Sequence, residues 1–192
     1  HVLPTEQEIF IKGAWKIEWD DYVLEICKLQ GGIALASNDL PGIKHIYVNA
    51  QNVITVENKT SYQRMKNGET AMMYLGGFAN RRQIEFLKKV ISDNPHVIYQ
   101  HFGDIDVGGF FIHRHLCRET SQFFELYCMD VKQLKDKRFA KCLKTLSDHD
   151  RERMDALMED NLYKEVLGYM KENNIKLEQE IISYYFYQER NV

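Results

Sequence analysis

No apolar stretch in the 192 residues approaches the roughly 18 needed for a membrane-spanning helix, so no helical anchor is expected. The opening, His1 to Phe10, lacks the charged-then-apolar order of a signal peptide, and a cytoplasmic location is the expectation. Cysteine is sparse: Cys27, Cys117, Cys128 and Cys142 form no CxxC pair and no zinc-like spacing. Neither a disulfide framework nor a metal ribbon follows, and reduced, partly buried thiols are expected. Basic charge is also in deficit. With 25 Lys and Arg against 28 Asp and Glu, the net charge is -3, which excludes a general polyanion-binding surface. Any contact with DNA would need help from other domains or partners. There is no internal repeat, no low-complexity segment and no initiating Met before His1, so the chain reads as a truncated or processed piece with residues missing upstream.

What is present describes an ordinary globular protein: 44% hydrophobic residues, 28% charged, and enough length to bury a core. Residues 1–41 mix short apolar runs with turn chemistry at Asn38-Asp-Leu-Pro-Gly42. They are expected to form a strand pair and one helix, as the remnant of, or linker from, an upstream domain. From 42 to 130 the pattern becomes regular. Val53–Val56, Ala71–Leu75, Val97–Phe102 and Phe123–Tyr127 are short apolar runs, separated by segments of helical spacing such as Ile84, Leu87 and Ile91 behind a cap at Asn80. Strands alternating with helices require crossover connections, which predicts an α/β core with about four mainly parallel strands flanked by helices. Residues 131–192 carry helical patterning alone, with helices predicted from Ser147 or Asp148 to Asp160, from Leu162 to Asn173 and from near Leu177. They read as a helical extension packed on the core.

Three acids fall at one edge of this expected sheet. Glu57 follows the first run by one residue, and Asp104 and Asp106 follow the third by two and four. Ligands of parallel α/β sheets collect at the carboxyl ends of strands. Residues two apart in an extended segment project to one side, so Asp104 and Asp106 can reach one ion. Gathered carboxylates repel and raise one another's pKa unless a cation neutralises them, and oxygen-only ligands favour Mg²⁺ or Mn²⁺ over zinc. Gly108-Gly109 lets the chain turn close to such an ion, and the helix that follows offers its N-terminus to a phosphate. The competing reading is that the acids cap the next helix or lie solvated in a loop.

The ordered set Val56-Glu-Asn-Lys-Thr-Ser61, Tyr74-Leu-Gly-Gly-Phe78 and His101-Phe-Gly-Asp-Ile-Asp-Val-Gly-Gly109 resembles the Toprim domain of the Wadjet plasmid-defence nuclease subunit JetD, akin to that of the topoisomerase VI A subunit. Leu177-Glu-Gln-Glu180 is similar to the end of that family, so the resemblance spans about Gly42 to Glu180. It implies a Toprim-like sheet on which Glu57, Asp104 and Asp106 hold Mg²⁺ or Mn²⁺ for DNA strand cleavage. It also implies plasmid or circular duplex DNA as substrate, condensin-like defence subunits as partners, and a homodimer as a candidate assembly. Gly108 stands where some Toprim proteins carry a third aspartate, so a two-metal arrangement is not carried over.

Around this centre, Lys59 could contact the scissile phosphate. Arg81 and Arg82 begin a helix, where the dipole disfavours cations, which hints at ligand-facing roles in nucleic-acid binding. Glu178 and Glu180 could bring a further carboxylate, although acids are common near a helix start. His113 and His115 are two apart on a helix and do not share a face, and His101 reads as a core histidine. Nothing marks Tyr62 or Tyr99 as a covalent nucleophile. Two other functions stay open: a Toprim module that binds or assembles without cutting, and a tyrosine transesterase of topoisomerase VI type.

Overall fold

The structure is a computed structural model that describes residues 7–66, 68 and 70–188. Residues 1–6 and 189–192, the outer ends of the first and last expected segments, lie outside these.

Its centre is a six-stranded sheet. The strands expected from the apolar runs are present as β6 (Asn52–Val56), β7 (Thr70–Tyr74), β8 (Ile98–Phe102) and the two-residue β9 (Glu125–Leu126). They run parallel in the order β7-β6-β8-β9. The sheet is wider than the four strands expected. β1 (Glu8–Gly13) pairs antiparallel with β7, and β4 (Ile33–Ala36) pairs antiparallel with β1 at the edge. Both come from the segment read as a linker or remnant. Its expected α-helix is replaced by two 3-10 turns, at Ile26–Lys28 and Ser37–Gly42. β2 (Trp15–Glu18), β3 (Val23–Glu25) and β5 (His45–Val48) form a second, antiparallel sheet in the order β3-β2-β5.

Alternate residues of β6 explain why its apolar run is unbroken. Val53 enters a core with Trp15, Met73, Phe86 and Phe124, whereas Ile54 and Val56 enter another with Phe102, Phe110, Met154 and Leu167. A strand covered on both faces cannot alternate apolar with polar residues. Burying a side chain such as Phe102 or Phe110 contributes about 1.5–3 kcal/mol.

The helices start where the sequence supplies caps. α1 (Lys59–Arg64) is capped by Asn58, α2 (Arg81–Asp93) by an Asn80–Gln83 capping box, and α3 (Val107–Thr120) by Asp106. After α4 (Val131–Lys135), α5 (Asp148–Met158), capped by Ser147, and α6 (Asn161–Asn173) pack against each other. α7 (Gln179–Gln188) returns to lie on α1. Among the described residues no helix is long and apolar enough to cross a membrane. All four cysteines are free thiols, with Cys27 exposed and the other three half-buried.

Candidate functional site

The parallel order brings the carboxyl ends of β7, β6 and β8 side by side. A cavity of about 310 Å³ opens there, lined by Glu57, Asn58, Lys59, Thr60, Tyr74, Gly76, Gly77 and Asp104. Glu57 leaves β6 with its backbone still in register, its amide donating to the Phe102 carbonyl at 3.0 Å. Its carboxylate turns toward β8, where Oε2 accepts from the Asp104 amide at 3.3 Å.

This approach depends on a missing side chain. A Cβ on Gly103 would stand 2.7 Å from Glu57 Oε2 and 2.9 Å from His101 Nε2. Gly109 is more tightly constrained: its Cβ would come within 2.2 Å of the Asp104 carbonyl, because the first turn of α3 rests on that peptide. Of Gly108 and Gly109 the second makes the tighter approach, and what it approaches is the Asp104 peptide.

The electrostatics show two carboxyl groups under strain. Burial, then the nearby Asp104 charge, pushes Glu57 up to about 7. Asp104 is pushed up to about 6, chiefly by burial and further by the charges of Asp106, Glu178 and Glu180, while the Gln179 amide partly offsets the rise. Like charges in a partly desolvated site favour protonation or a bound cation.

Asp106 is committed differently. Its Oδ1 accepts from the Gly109 amide at 2.8 Å, capping α3, and its Oδ2 lies 4.0 Å from Lys176 Nζ. Helix capping, the competing reading for these acids, thus holds for Asp106 alongside its charge on the other two. Among the described residues, no three His, Cys, Asp or Glu side chains are gathered closely enough to hold a metal ion. What Glu57 and Asp104 offer is an all-oxygen set of two mutually repelling carboxylates beside a polar cavity. That fits Mg²⁺, which commonly keeps several waters and uses one or two carboxylates.

Residues 26–191 match the family model described as Wadjet protein JetD, C-terminal. The chain belongs to this family. It is 27% identical over 189 residues to a Wadjet protein JetD from Bacillus cereus (strain Q1), a stretch covering 94% of this chain and 46% of that protein. The chain therefore spans just under half the length of this JetD relative.

Within this JetD C-terminal fold the other expected residues separate clearly. Lys59 lines the cavity, with Nζ 5.4 Å from the Phe10 ring centroid. Arg81 and Arg82 are exposed and share one partner, Glu85, at 2.8 and 2.7 Å. Glu178 pairs with Lys144, whereas Glu180 Oε1 accepts from Asn58 Nδ2 at 2.8 Å.

Of the three histidines weighed, His101 and His113 are internal. His113 is fully buried between the Tyr163 hydroxyl at 2.7 Å and the Phe124 carbonyl at 2.6 Å, while His115 faces Ala79 and Phe78. His101, also fully buried, meets Thr55 Oγ1 through Nδ1 at 2.9 Å and is held down to about 3 by burial. The Tyr62 hydroxyl is buried with no hydrogen-bond partner among the described residues, and its pKa is driven upward by burial. Tyr99 donates to the Val90 and Asn94 carbonyls and is pushed up to about 12, mainly by burial. Neither is set up as a nucleophile.

One residue of the site was passed over in the sequence. Gln179 lies between the two weighed acids, is fully buried, and donates its backbone N–H to Asp104 Oδ1 at 2.7 Å. The signal in the sequence was slight: an uncharged amide between two glutamates at a helix start.

Proposed function

We propose that this chain cleaves a DNA phosphodiester in a magnesium-dependent reaction at the Glu57–Asp104 centre, acting as the Toprim-type nuclease region of a Wadjet anti-plasmid system. The observation that carries the reading is the meeting of Glu57 and Asp104 at adjoining strand ends, both with raised pKa, on one polar cavity with Lys59. Family membership supports a place in Wadjet defence, and condensin-like subunits as partners belong to the proposal.

Glu57 and Asp104 would hold the cation, and Asp106 adds charge while fixing the start of α3. The bound cation would supply charge neutralisation on the phosphoryl oxygens. The protein's own groups do the remaining work. Lys59 meets the phosphate, and Glu57 either shares the cation or, where Asp104 holds it alone, takes or gives a proton at its carboxylate. The loop closed by Gly103 and Gly109 keeps the acids in position.

Nicking of supercoiled plasmid by the protein with Mg²⁺, compared with its Glu57→Ala variant, tests the reading. Loss of nicking in a variant with an unchanged circular-dichroism spectrum is expected. Undiminished Mg²⁺-dependent nicking by the variant would overturn it.

A further inference from the structure

We infer that Gln179 is the positioning residue of the acidic centre: its side-chain amide stands in for a peptide group between the diverging ends of β6 and β8, and so fixes where Glu57 and Asp104 meet a divalent cation. The inference rests on the metal-site reading above and extends it to a residue of the last helix.

The register between β6 and β8 runs from Asn52↔Ile98 to Val56↔Phe102. One further backbone bond, from Glu57 N–H to the Phe102 carbonyl, closes that ladder at 3.0 Å. Beyond it the Asn58 amide has no carbonyl of β8 to meet, because Glu57 and Asp104 must part to flank the cavity. The Gln179 side chain occupies this position. Its Oε1 accepts from the Asn58 amide at 2.9 Å, and its Nε2 donates to the Phe102 carbonyl at 3.1 Å.

A primary amide carries a donor and an acceptor on one carbon, as a peptide does, so it can extend a ladder that backbone geometry has ended. The backbone of the same residue binds Asp104 directly, its N–H reaching Oδ1 at 2.7 Å. Antiparallel pairing of Ile105 with Leu177 fixes the approach of this segment. One fully buried residue thus touches the position after Glu57, the carbonyl two positions before Asp104, and the Asp104 carboxylate.

The residue type follows from these contacts. Glutamate would set an acceptor against the Phe102 carbonyl, and methionine would fill the space but take from the half-buried Asn58 amide its acceptor. Asparagine is one methylene too short to span both groups from the same backbone position.

The test measures Mn²⁺ affinity by calorimetry on the intact protein, beside plasmid nicking. Gln179→Met should weaken Mn²⁺ binding about tenfold or more, as removal of groups that orient metal ligands does. Ser183→Ala is the control, because it removes a different tie between α7 and α1, Ser61 Oγ to Ser183 Oγ at 2.9 Å. It should leave Mn²⁺ affinity within about twofold, a margin small against the expected loss. Should Gln179→Met not fold, Gln179→Asn is measured to the same criterion.

Mn²⁺ affinity unchanged in the Gln179 variant, or lowered equally by Ser183→Ala, overturns the inference. Wild-type protein that binds Mn²⁺ without nicking DNA overturns the nuclease reading alone, and the comparison of affinities still decides the role of Gln179. Wild-type protein that binds no Mn²⁺ overturns both.

Discussion

The Glu57 carboxylate accepts a hydrogen bond from the Asp104 amide at 3.3 Å, so one acid of the site is held in place by the backbone of the other. The contact draws two negative charges together in a half-buried setting. Whatever the site does, it begins from a repulsion that the fold maintains.

That repulsion has a measurable sign. Glu57 is raised to about 7 in the folded chain, so between its unfolded value and pH 7 the folded state holds a proton that the unfolded chain has released. Stability from this group therefore falls as pH rises from about 4.5 to about 7, and the penalty is full above that. Buried His101 and His113, held neutral by desolvation, act oppositely, losing stability as pH falls below about 6.5. Comparing Glu57→Gln with wild type at each pH removes the histidine contribution. In EDTA the variant should match wild type near pH 4.5 and be more stable by on the order of 2 kcal/mol at pH 7.5, a shift of several degrees in Tm. Thermal melts across this range check it. A difference independent of pH would show that Glu57 is not strained.

Replacing Asp106 by alanine should cost stability. It caps α3 through the Gly109 amide, and replacing a cap by alanine costs about 1 kcal/mol, whereas asparagine caps equally well. Asp106→Ala should lower stability by about that amount and Asp106→Asn should leave it nearly unchanged. If its charge serves cleavage, both variants should lose nicking to a similar degree. Denaturant melts paired with plasmid assays separate the roles, and full activity in Asp106→Asn would confine Asp106 to capping.

The two close glycines predict unequal outcomes. At Gly103 the added methyl meets Glu57 Oε2 and His101 Nε2, side-chain atoms, of which the carboxylate can swing away. At Gly109 it meets the Asp104 carbonyl, which cannot move without dislodging α3. Gly103→Ala should cost about 1–3 kcal/mol but displace Glu57 and reduce nicking about a hundredfold. Gly109→Ala should cost more in stability and lower the yield of folded protein. Chemical denaturation of both variants, with nicking rates for the first, decides; equal stabilities would contradict the geometry.

The parallel strands and the helices after them were legible because their signals are local, unbroken apolar runs and a cap such as Asn80, as was the later helix capped by Ser147, whereas the cap at Asp106 was only the competing reading of an expected metal ligand. The edge at which Glu57 and Asp104 meet followed from strand order alone. A strand pair was expected in residues 1–41, but the place of β1 and β4 in the central sheet was not legible, because it depends on pairing across long sequence separations, as in Ile11 with Met73. Nor was the role of Lys12, which reads like a surface lysine. It is buried, donates to the Met65 carbonyl at 2.5 Å and lies over the Tyr62 ring. Gln179 was hidden for the same reason, since its partners Asn58 and Phe102 are remote in sequence and nothing near it indicates them.

Any DNA binding by a chain of net charge -3 would be concentrated in few cations, and the ion pairs these cations make distinguish them. Arg81 and Arg82 already share Glu85, so moving them onto a phosphate exchanges one anion for another and releases little counterion. Lys59 stands at the start of α1 on the cavity wall, and none of the ion pairs found among the described residues includes it. Lys59→Gln should therefore weaken binding to duplex DNA and reduce the slope of log affinity against log salt by about 0.9, the value for a single phosphate that is no longer neutralised. Its Tm should not change, because an exposed ammonium group contributes little to stability. Arg81→Gln should change the slope less. Fluorescence-anisotropy titrations at several salt concentrations measure both, and a larger effect for Arg81 than for Lys59 would move the DNA path from the cavity to the start of α2.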